Sequence, residues 1–421
     1  MNENINISRP CTAGSASTTS SDNTPSFTDI HVDVEQPIIT SPTINADFVA
    51  TPLSSYFSLP LFPPTILYPP SGINRRRFRR VAGLVIITLI LITTLLVALL
   101  LSTKKKKGKT NYNSLDCVIK ISVSKDWINN KSNFTNVSDA VEASPNYSPF
   151  KVCITIGEGE YYEIVKIGHE KINLIFIGEG IGKTVISSNA SNVYGSPVAA
   201  TLSVFGEEFL AQDLTIRNEA VQYGVAVENA GAKSIFFRCK FEGANATLYT
   251  NGEKQFYRDC RFYGGTNLVF GYSRAFFQKC KFVGEKSHPR DKVVFSSQTS
   301  RLSNFEIGFV FHLCAFDVVG SFANSSETAF LGSSAGYYAF VVVMESYLDR
   351  SVGGYFLGAP PNTMYYVVFR NVGVGATKAN IPQFVYVLES VEAASKYSLR
   401  EFLDGGSWIA KGVDYDLDLV K

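Results

Sequence analysis

From about residue 115 onward, short apolar runs alternate with Gly, Asn and charged residues. Each run has the length of a β-strand and is rich in β-branched or aromatic residues, and no long stretch of helical periodicity separates the runs. The pattern predicts an all-β domain with one short helix over VSDAVEASP at 137–145, where apolar residues recur near helical spacing. The apolar runs cover 152–156, 172–178, 200–206, 210–216, 234–241, 255–262, 275–282 and 307–316.

One phrase within these runs returns four times, as FFRCKF, FYRDCRF, FFQKCKF and FHLCAF. Its cysteines are separated by 21, 20 and 34 residues, at Cys239, Cys260, Cys280 and Cys314. A strand-and-turn repeat of this length predicts a parallel β-helix, in which each coil stacks about 4.8 Å from the next. The longer last step indicates an inserted loop. An antiparallel β-sandwich is the alternative, but it does not account for the constant phase of the phrase.

Cysteines in the same phase of neighbouring coils lie near the Cα separation of a disulfide. Cys239 with Cys260, or Cys280 with Cys314, are therefore candidate pairs, and a ladder of buried free thiols is the alternative of equal weight. Six of the seven cysteines follow residue 109, and the sequence does not choose among their pairings.

A different apolar pattern precedes this domain. Residues 81–103 carry no charge and lie between RRRFRR at 75–80 and KKKKGK at 104–109. At 1.5 Å per residue they are long enough to cross the roughly 30 Å core of a bilayer, which predicts a transmembrane helix. A buried core helix is the alternative, and uniform apolarity between two basic blocks disfavours it. The run is also too long, and too far from the N-terminus, for a cleavable signal peptide.

These patterns divide the chain into three segments. Residues 1–74 are rich in Ser, Thr, Asn and Pro without a sustained period, which predicts a disordered tail. Residues 75–109 hold the predicted membrane helix, and residues 110–421 form the β domain.

The orientation in the membrane is inferred from sequons and cysteines, because five Arg on one side and five Lys on the other leave the flanking charge balanced. Most sequons and cysteines follow the helix, which predicts a single-pass protein whose C-terminal domain is lumenal or extracellular, in the Golgi, at the cell surface or in the cell wall. Asn6 is the one sequon before the helix. The others are at Asn130, Asn133, Asn136, Asn146, Asn189, Asn245 and Asn324.

Composition and short motifs give no support for a nucleic-acid-binding, phosphate-binding or metal-binding protein. A net charge of +2 gives no indication of nucleic-acid binding. GEGIGKT at 178–184 lacks the first Gly of a phosphate-binding loop, because that position is Ile177, so a turn is predicted. The four His and seven Cys show no metal-ligand spacing. Neither a metal nor a cofactor is predicted.

Several longer phrases together carry a family resemblance. They are SDAVEASPN, the G-x-Y-x-E of GEYYE (Gly159, Tyr161, Glu163), IGEGIGKTVI, FRCKF, QFYRDCRFYG and FLDGGSWI with Trp408. From about Ile121 to Ala410 the chain resembles the catalytic domain of plant pectinesterases (pectin methylesterases). The resemblance implies a right-handed parallel β-helix, in agreement with the repeat. It also implies hydrolysis of galacturonate methyl esters in pectin without a metal or cofactor.

The resemblance further implies which residues would carry this chemistry. In the family one Asp attacks the ester carbonyl, a second Asp is general acid and then base, two Gln stabilise the oxyanion, and an Arg orients the nucleophile beside a sugar-binding aromatic residue. The family phrases Q-A-V-A-L, Q-D-T-L, D-F-I-F-G and L-G-R-P-W read YGVAV, NATL, NLVFG and LGSSA here. The degenerate positions are Tyr223 and Asn245 for the two Gln, Ala246 for the acid/base Asp, Asn267 for the nucleophile, Ser333 for the Arg and Ala335 for the Trp.

Ala246 and Asn267 each follow a repeat cysteine by seven residues, so they are predicted to stack on neighbouring coils. Alanine carries no proton and a neutral amide is a far weaker nucleophile than a carboxylate, which predicts a dead or severely impaired esterase. A shifted alignment is one alternative, which the matching offsets and the flanking TLY and VFG disfavour. Rescue by Glu242 or Asp259 is another, which strand alternation disfavours.

Three functions follow from these expectations. The first is a membrane-anchored pectinesterase-like protein that binds pectin (homogalacturonan) or another partner without esterase activity. The second is an active pectinesterase that uses other carboxylates, and the third is a scaffold without a ligand. Asn245 also lies in a sequon, and a glycan attached to it would cover the former active site.

Overall fold

The computed structural model describes residues 86–90, 92–93, 115–126, 132–191, 199–221, 224–244, 246–285, 292–298, 307–320, 329–333, 338–358, 363–377 and 381–420. The chain separates into two compact units, residues 1–100 and 101–421. In the first unit, residues 86–90 and 92–93 are helical. Within the described ranges, no helix is long and apolar enough to cross a membrane. The predicted tail and most of the predicted span 81–103 lie outside those ranges.

The described part of the second unit contains three parallel β-sheets. Sheet 1 holds β1 (Ile119–Val123), β2 (Val152–Ile156), β5 (Leu174–Gly178), β8 (Leu210–Gln212), β11 (Ser234–Phe237), β14 (Lys254–Arg258), β17 (Arg274–Gln278), β20 (Gly308–His312), β23 (Ala339–Met344), β26 (Met364–Phe369) and β27 (Val385–Val387). Sheet 2 holds β3 (Gly159–Tyr162), β6 (Thr184–Ser188), β9 (Thr215–Asn218), β12 (Lys240–Gly243), β15 (Arg261–Gly264), β18 (Lys281–Glu285), β21 (Ala315–Val319) and β24 (Tyr347–Leu348). Sheet 3 holds β4 (Val165–Ile167), β7 (Ala199–Val204), β10 (Gly224–Asn229), β13 (Leu248–Thr250), β16 (Val269–Gly271), β19 (Val293–Gln298), β22 (Ala329–Ser333) and β25 (Val352–Leu357).

From β2 to β26 each successive strand passes to a different sheet, and each sheet takes every third strand; β1 and β27 extend the two ends of sheet 1. Each coil therefore contributes one strand to each sheet and pairs in parallel with the coil before and the coil after it. This arrangement confirms the predicted parallel β-helix and excludes the antiparallel sandwich. The helices are α1 (Val137–Ala143), α2 (Val391–Ser395), α3 (Leu399–Leu403) and α4 (Gly405–Trp408), with a 3₁₀ turn at Val374–Ala376. The helix predicted at 137–145 is α1.

The repeated phrase forms a corner between two strands, which corrects the prediction of one strand for each run. In every copy a residue with positive φ follows the last residue of the sheet 1 strand and directly precedes the cysteine. The residues at the corners of the four copies are Arg238, Asp259, Lys279 and Leu313, with φ between 51° and 56°. This left-handed conformation is costly for residues with a side chain, so the surrounding coils must hold it in place. At one corner, Asp213 accepts two hydrogen bonds from Arg238 of the next coil, at 2.6 and 2.5 Å.

Aromatic ladders fill the interior between the three sheets. One ladder runs along sheet 1 and the other along sheet 2, and in both the neighbouring rings are stacked with centroids 4.6 to 5.4 Å apart. Such pairs contribute about 0.5–1.5 kcal/mol beyond the burial of their area. The first ladder is Phe236, Tyr257, Phe277 and Phe311, and the second is Phe241, Phe262, Phe282 and Phe316.

The four repeat cysteines are buried free thiols. Each Sγ donates to a backbone carbonyl of the preceding coil, as Cys260 does to Phe236 at 3.3 Å. The thiols are thus directed at backbone carbonyls of the interior, so the disulfide candidates Cys239–Cys260 and Cys280–Cys314 are wrong and the ladder of free thiols is confirmed. One disulfide that the repeat did not predict joins Cys117 to Cys153.

The phrases of the family resemblance mostly stabilise this scaffold. Glu163 accepts hydrogen bonds from the backbone N–H of Val137 and Ser138, both at 2.8 Å, and so caps the N-terminus of α1. Tyr161 is buried, and its hydroxyl donates to the carbonyl of Gly157 at 3.1 Å. Trp408 donates its indole N–H to the carbonyl of Leu403 at 3.0 Å.

The C-terminal helices and tail cover the outer face of sheet 1. Arg258 on β14 has a side chain only 1% exposed, and the carboxylates of Asp414 and Asp416 bind it at 2.9 and 2.8 Å. Gln278 on β17 accepts from Arg258 at 2.6 Å and donates to the carbonyl of Asp416 at 2.7 Å. The tail thus occupies the outer face of sheet 1 around β14 and β17.

Candidate functional site

The predicted site lies where the chain enters β13 and β16 of sheet 3. Leu248 pairs with Val269 in the parallel register, so Ala246 and Asn267, each two residues earlier, occupy equivalent positions on neighbouring coils. Both are partly buried, and Asn267 has a φ of 56°. The stacking predicted from the seven-residue offsets is confirmed.

Ser333 is the third predicted site residue that the structure describes. It ends β22, two strands beyond β16 in sheet 3, and its hydroxyl lies 3.0 Å from that of Ser297 on the intervening strand β19. Tyr223, Asn245 and Ala335 lie outside the described residues. The structure therefore places a methyl group, an amide and a hydroxyl at the three described positions. None of these groups is a carboxylate or a cation.

The two carboxylates considered for rescue lie elsewhere. Glu242 is on β12 of sheet 2, where Arg217 donates to it at 2.8 Å and Lys240 forms a second ion pair. Burial opposes ionisation, but the hydrogen bonds from Lys240 and Arg217 lower the pKa of Glu242 below its ordinary value. Asp259 is at the corner between sheets 1 and 2, 3.2 Å from Arg258. Both carboxylates are engaged in ion pairs, and neither is on a strand of sheet 3.

A cavity of about 380 Å³ lies where sheet 2 meets sheet 3. Two of its residues, Gly243 and Ala244, lead into the segment that contains Ala246, so the cavity adjoins the predicted site. The lining is strongly charged and consists of Arg217, Asn218, Glu219, Glu242, Gly243, Ala244, Tyr263, Gly264 and Glu285.

A row of side chains crosses the outer face of sheet 3 beside this site. The parallel register aligns one residue from each of seven successive strands, so we call these residues the sheet 3 row. The rings of Tyr249 and Phe270 stack at its centre, with centroids 4.9 Å apart and planes inclined by 28°. The sheet 3 row consists of Lys166, Ser203, Glu228, Tyr249, Phe270, Ser297 and Ser333.

Glu228 is a residue of this row that the sequence interpretation missed. Its carboxylate accepts a hydrogen bond from the hydroxyl of Ser203 at 3.1 Å. Partial burial raises the pKa of Glu228 above its ordinary value, against the opposing effects of Ser203 and Lys166. The signal was present in the alternation of GVAVEN, which places Glu228 on the outer face, but no motif draws attention to it.

No group of three or more His, Cys, Asp or Glu in the described part of the chain is arranged to hold a metal ion. His312 is buried, and it lies 2.9 Å from Glu345 and 3.1 Å from Gln278. Burial lowers the pKa of His312. This histidine is on β20 of sheet 1.

The family model for pectinesterases matches residues 120–406, which include both stacked positions and the whole sheet 3 row. The chain belongs to the pectinesterase family. It is 32% identical over 325 residues to the pectinesterase/pectinesterase inhibitor 39 of Arabidopsis thaliana, covering 73% of this chain and 59% of that protein. It is 33% identical over 305 residues to a pectinesterase/pectinesterase inhibitor of Prunus persica, covering 67% of this chain and 57% of that protein.

The fold is shared with solved pectin methylesterases. The carrot enzyme superimposes with a TM-score of 0.66 at 25% identity, covering 71% of this chain and 98% of the enzyme. A pectin methylesterase solved in complex with a hexasaccharide superimposes with a TM-score of 0.60 at 19% identity, covering 69% of this chain and 98% of that chain. Parallel sheets and these relatives fit the right-handed β-helix that the resemblance implied. The matches span less than two thirds of the length of both curated relatives.

Proposed function

We propose that this pectinesterase-family chain binds pectic polysaccharide on the outer face of sheet 3 without hydrolysing its methyl esters at an appreciable rate. One observation carries the proposal: Ala246 and Asn267 occupy the stacked positions at which the family resemblance calls for the acid/base and the nucleophile. Polysaccharide binding is supported by the family, by the solved relative with a bound hexasaccharide and by the partly exposed aromatic pair of the sheet 3 row.

The loss of activity follows from the chemistry of these side chains. Removal of one oxyanion donor costs a factor of about 10² to 10³ in rate. Removal of the nucleophile eliminates most of the rate enhancement that is left. The family resemblance implies that both carboxylates, both Gln and the Arg are replaced in this chain. Glu242 is paired with Arg217 and Lys240, and Asp259 with Arg258, which disfavours rescue by these two carboxylates.

The proposal includes an anchor, because residues 81–103 are uncharged, apolar and enclosed by basic blocks. Seven sequons follow this run, which supports a lumenal or extracellular domain and a glycosylated protein. The test is extraction of cell membranes with alkaline carbonate, followed by peptide N-glycosidase. We expect the chain to stay with the membranes and to shift on the gel. Release by carbonate contradicts the anchor, and an unchanged gel position contradicts the orientation.

The binding function is tested with the purified full chain in detergent micelles and insoluble, highly methyl-esterified pectin. Sedimentation of the chain with the pectin supports the proposal, and its absence from the pellet overturns it. The matched variants are Tyr249→Ala, on the sheet 3 row, and Tyr386→Ala, which removes an exposed tyrosine from β27 of sheet 1. We expect the first to weaken sedimentation and the second to leave it unchanged. An equal effect of both would place binding elsewhere.

A further inference from the structure

We propose that Glu228 makes the outer face of sheet 3 selective for methyl-esterified galacturonate over free galacturonate. This inference rests on the proposed function, because it assigns a charge preference to the same pectin-binding face. It concerns a residue with no part in the ester hydrolysis that the family resemblance describes.

The position of Glu228 in the sheet 3 row brings its carboxylate close to the aromatic pair. Glu228 on β10 pairs directly with Tyr249 on β13, and Tyr249 pairs with Phe270 on β16. Adjacent strands lie about 4.8 Å apart, so a sugar ring seated on Tyr249 has Glu228 as its neighbour on the next coil. The hydrogen bond from Ser203 holds the carboxylate on this face.

The aromatic pair suits the apolar face of a pyranose. Tyr249 and Phe270 are both partly exposed, and their stacked rings form a continuous apolar surface across two coils. Rings of this kind do not distinguish a free acid from its methyl ester. The charged neighbours of the pair must make that distinction.

Among the described residues, the charged and titratable groups placed near Glu228 are Lys166, Tyr249 and Tyr272. Lys166 lies two strands away across Ser203, on the side opposite to the aromatic pair, and its ammonium group is 5.6 Å from the ring centre of Phe205. Tyr249 and the exposed Tyr272 interact with each other on the other side of Glu228. Glu228 therefore lies between the cation and the aromatic pair, so a ligand on the pair meets the carboxylate before it meets Lys166.

A free galacturonate on the aromatic pair places a second carboxylate within a few ångströms of Glu228. Like charges at this separation near a protein surface repel more strongly than in bulk water, and the distance is within the Debye length of about 8 Å. Methyl esterification removes the charge of the sugar and with it the repulsion. We expect the esterified ligand to bind about tenfold more tightly at pH 7.

The preference should depend on pH. Protonation of Glu228 removes the repulsion, and its partial burial, with the carboxylate partly shielded from water, raises the pKa of this group above 4.5. Below the raised value the carboxyl is neutral in the folded protein. The preference for the ester should therefore be largest at neutral pH and should decline as the pH falls toward the raised pKa.

The experiment measures two dissociation constants by calorimetry, with the full-length chain in detergent micelles at constant ionic strength. The probes are oligogalacturonides of one length, one fully methyl-esterified and one fully de-esterified. The variants are Glu228→Gln, which keeps the shape and the acceptor for Ser203, and the control Glu392→Gln, which removes an exposed carboxylate of α2.

The inference predicts a preference of about tenfold for the ester in the natural chain and in the control. It predicts a loss of that preference in Glu228→Gln through tighter binding of the de-esterified probe, with unchanged affinity for the ester. Equal binding of both probes by the natural chain, or an unchanged preference in Glu228→Gln, overturns the role of Glu228 and leaves the proposed function standing. Binding of neither probe overturns the proposed function, and this inference with it.

Discussion

At the scale of single residues, Glu228 links the proposed binding face to the stability of the fold. Partial burial raises its pKa, so the folded protein holds this proton to a higher pH than the unfolded chain does. The resulting stability is fully present below the ordinary value of 4.5 and is lost as the pH rises through the raised pKa. At neutral pH the ionised carboxylate therefore reduces the stability of the fold.

Substitution of Glu228 by Gln should consequently raise the melting temperature at pH 7. As the pH falls below the ordinary value of 4.5, the natural side chain becomes neutral in the folded state, so the difference between the two proteins should become small. Thermal unfolding of both proteins across this range is the measurement. A lower melting temperature of Glu228→Gln at pH 7 would mean that the charge stabilises the fold, and the partial burial of the carboxylate would then not be its dominant influence.

The sequence allowed part of the site to be predicted, namely the stacking of two residues, but not the role of Glu228. The seven-residue offset from the repeat cysteines was sufficient to predict that Ala246 and Asn267 stack, because a β-helix converts a constant offset into a constant position. Glu228 has no such marker. Its significance depends on Ser203 and Tyr249, which are 25 and 21 residues away along the chain and become neighbours only through the register of sheet 3.

At the scale of the elements, the inward and outward faces of one strand should differ sharply in their contribution to stability. On β15, Phe262 is fully buried in the second aromatic ladder, whereas the neighbouring Tyr263 is partly exposed beneath the ammonium group of Lys240. Substitution of Phe262 by Ala should cost about 3–5 kcal/mol of unfolding free energy. Substitution of Tyr263 by Ala should cost about 1 kcal/mol or less, since it removes an exposed cation–π contact.

Denaturant unfolding of the two variants beside the natural chain measures this contrast. Similar losses of unfolding free energy for the two variants would contradict the register of β15, which places Phe262 inside and Tyr263 outside.

The same elements show why the periodicity of the sequence predicted the coils of the β-helix but not the corners between their strands. Apolar alternation continues through the repeated phrase, whereas the left-handed residue that breaks it is Arg, Asp, Lys or Leu rather than Gly.

At the scale of the whole molecule, the C-terminal tail binds the outer face of sheet 1 through ion pairs with a buried cation, Arg258. Arg258 is bound by Asp414 and Asp416, which are 156 and 158 residues away in sequence, so no local pattern could predict the contact. Removal of these two partners is costly, because the buried guanidinium then keeps Asp259 as its remaining ion-pair partner among the described residues. The tail therefore contributes to the stability of coils far from it along the chain.

The double variant Asp414→Asn/Asp416→Asn should lose about 3 kcal/mol of unfolding free energy. The control is Asp418→Asn, which removes the exposed ion pair with Arg400 and should cost about 1 kcal/mol or less. Chemical denaturation measures both. A double variant as stable as the control would show that Gln278 and Asp259 compensate Arg258 without the tail.

The central claim, a pectinesterase fold that does not hydrolyse pectin esters, is tested most directly by methanol release from highly methyl-esterified pectin. The natural chain is compared with the variant Ala246→Asp/Asn267→Asp and with Thr266→Asp, a control that adds a carboxylate at the exposed position beside Asn267. We predict no methanol above background from the natural chain or the control, and measurable release from the double variant. Methanol release from the natural chain would contradict the claim, and the nucleophile would then have to be another carboxylate.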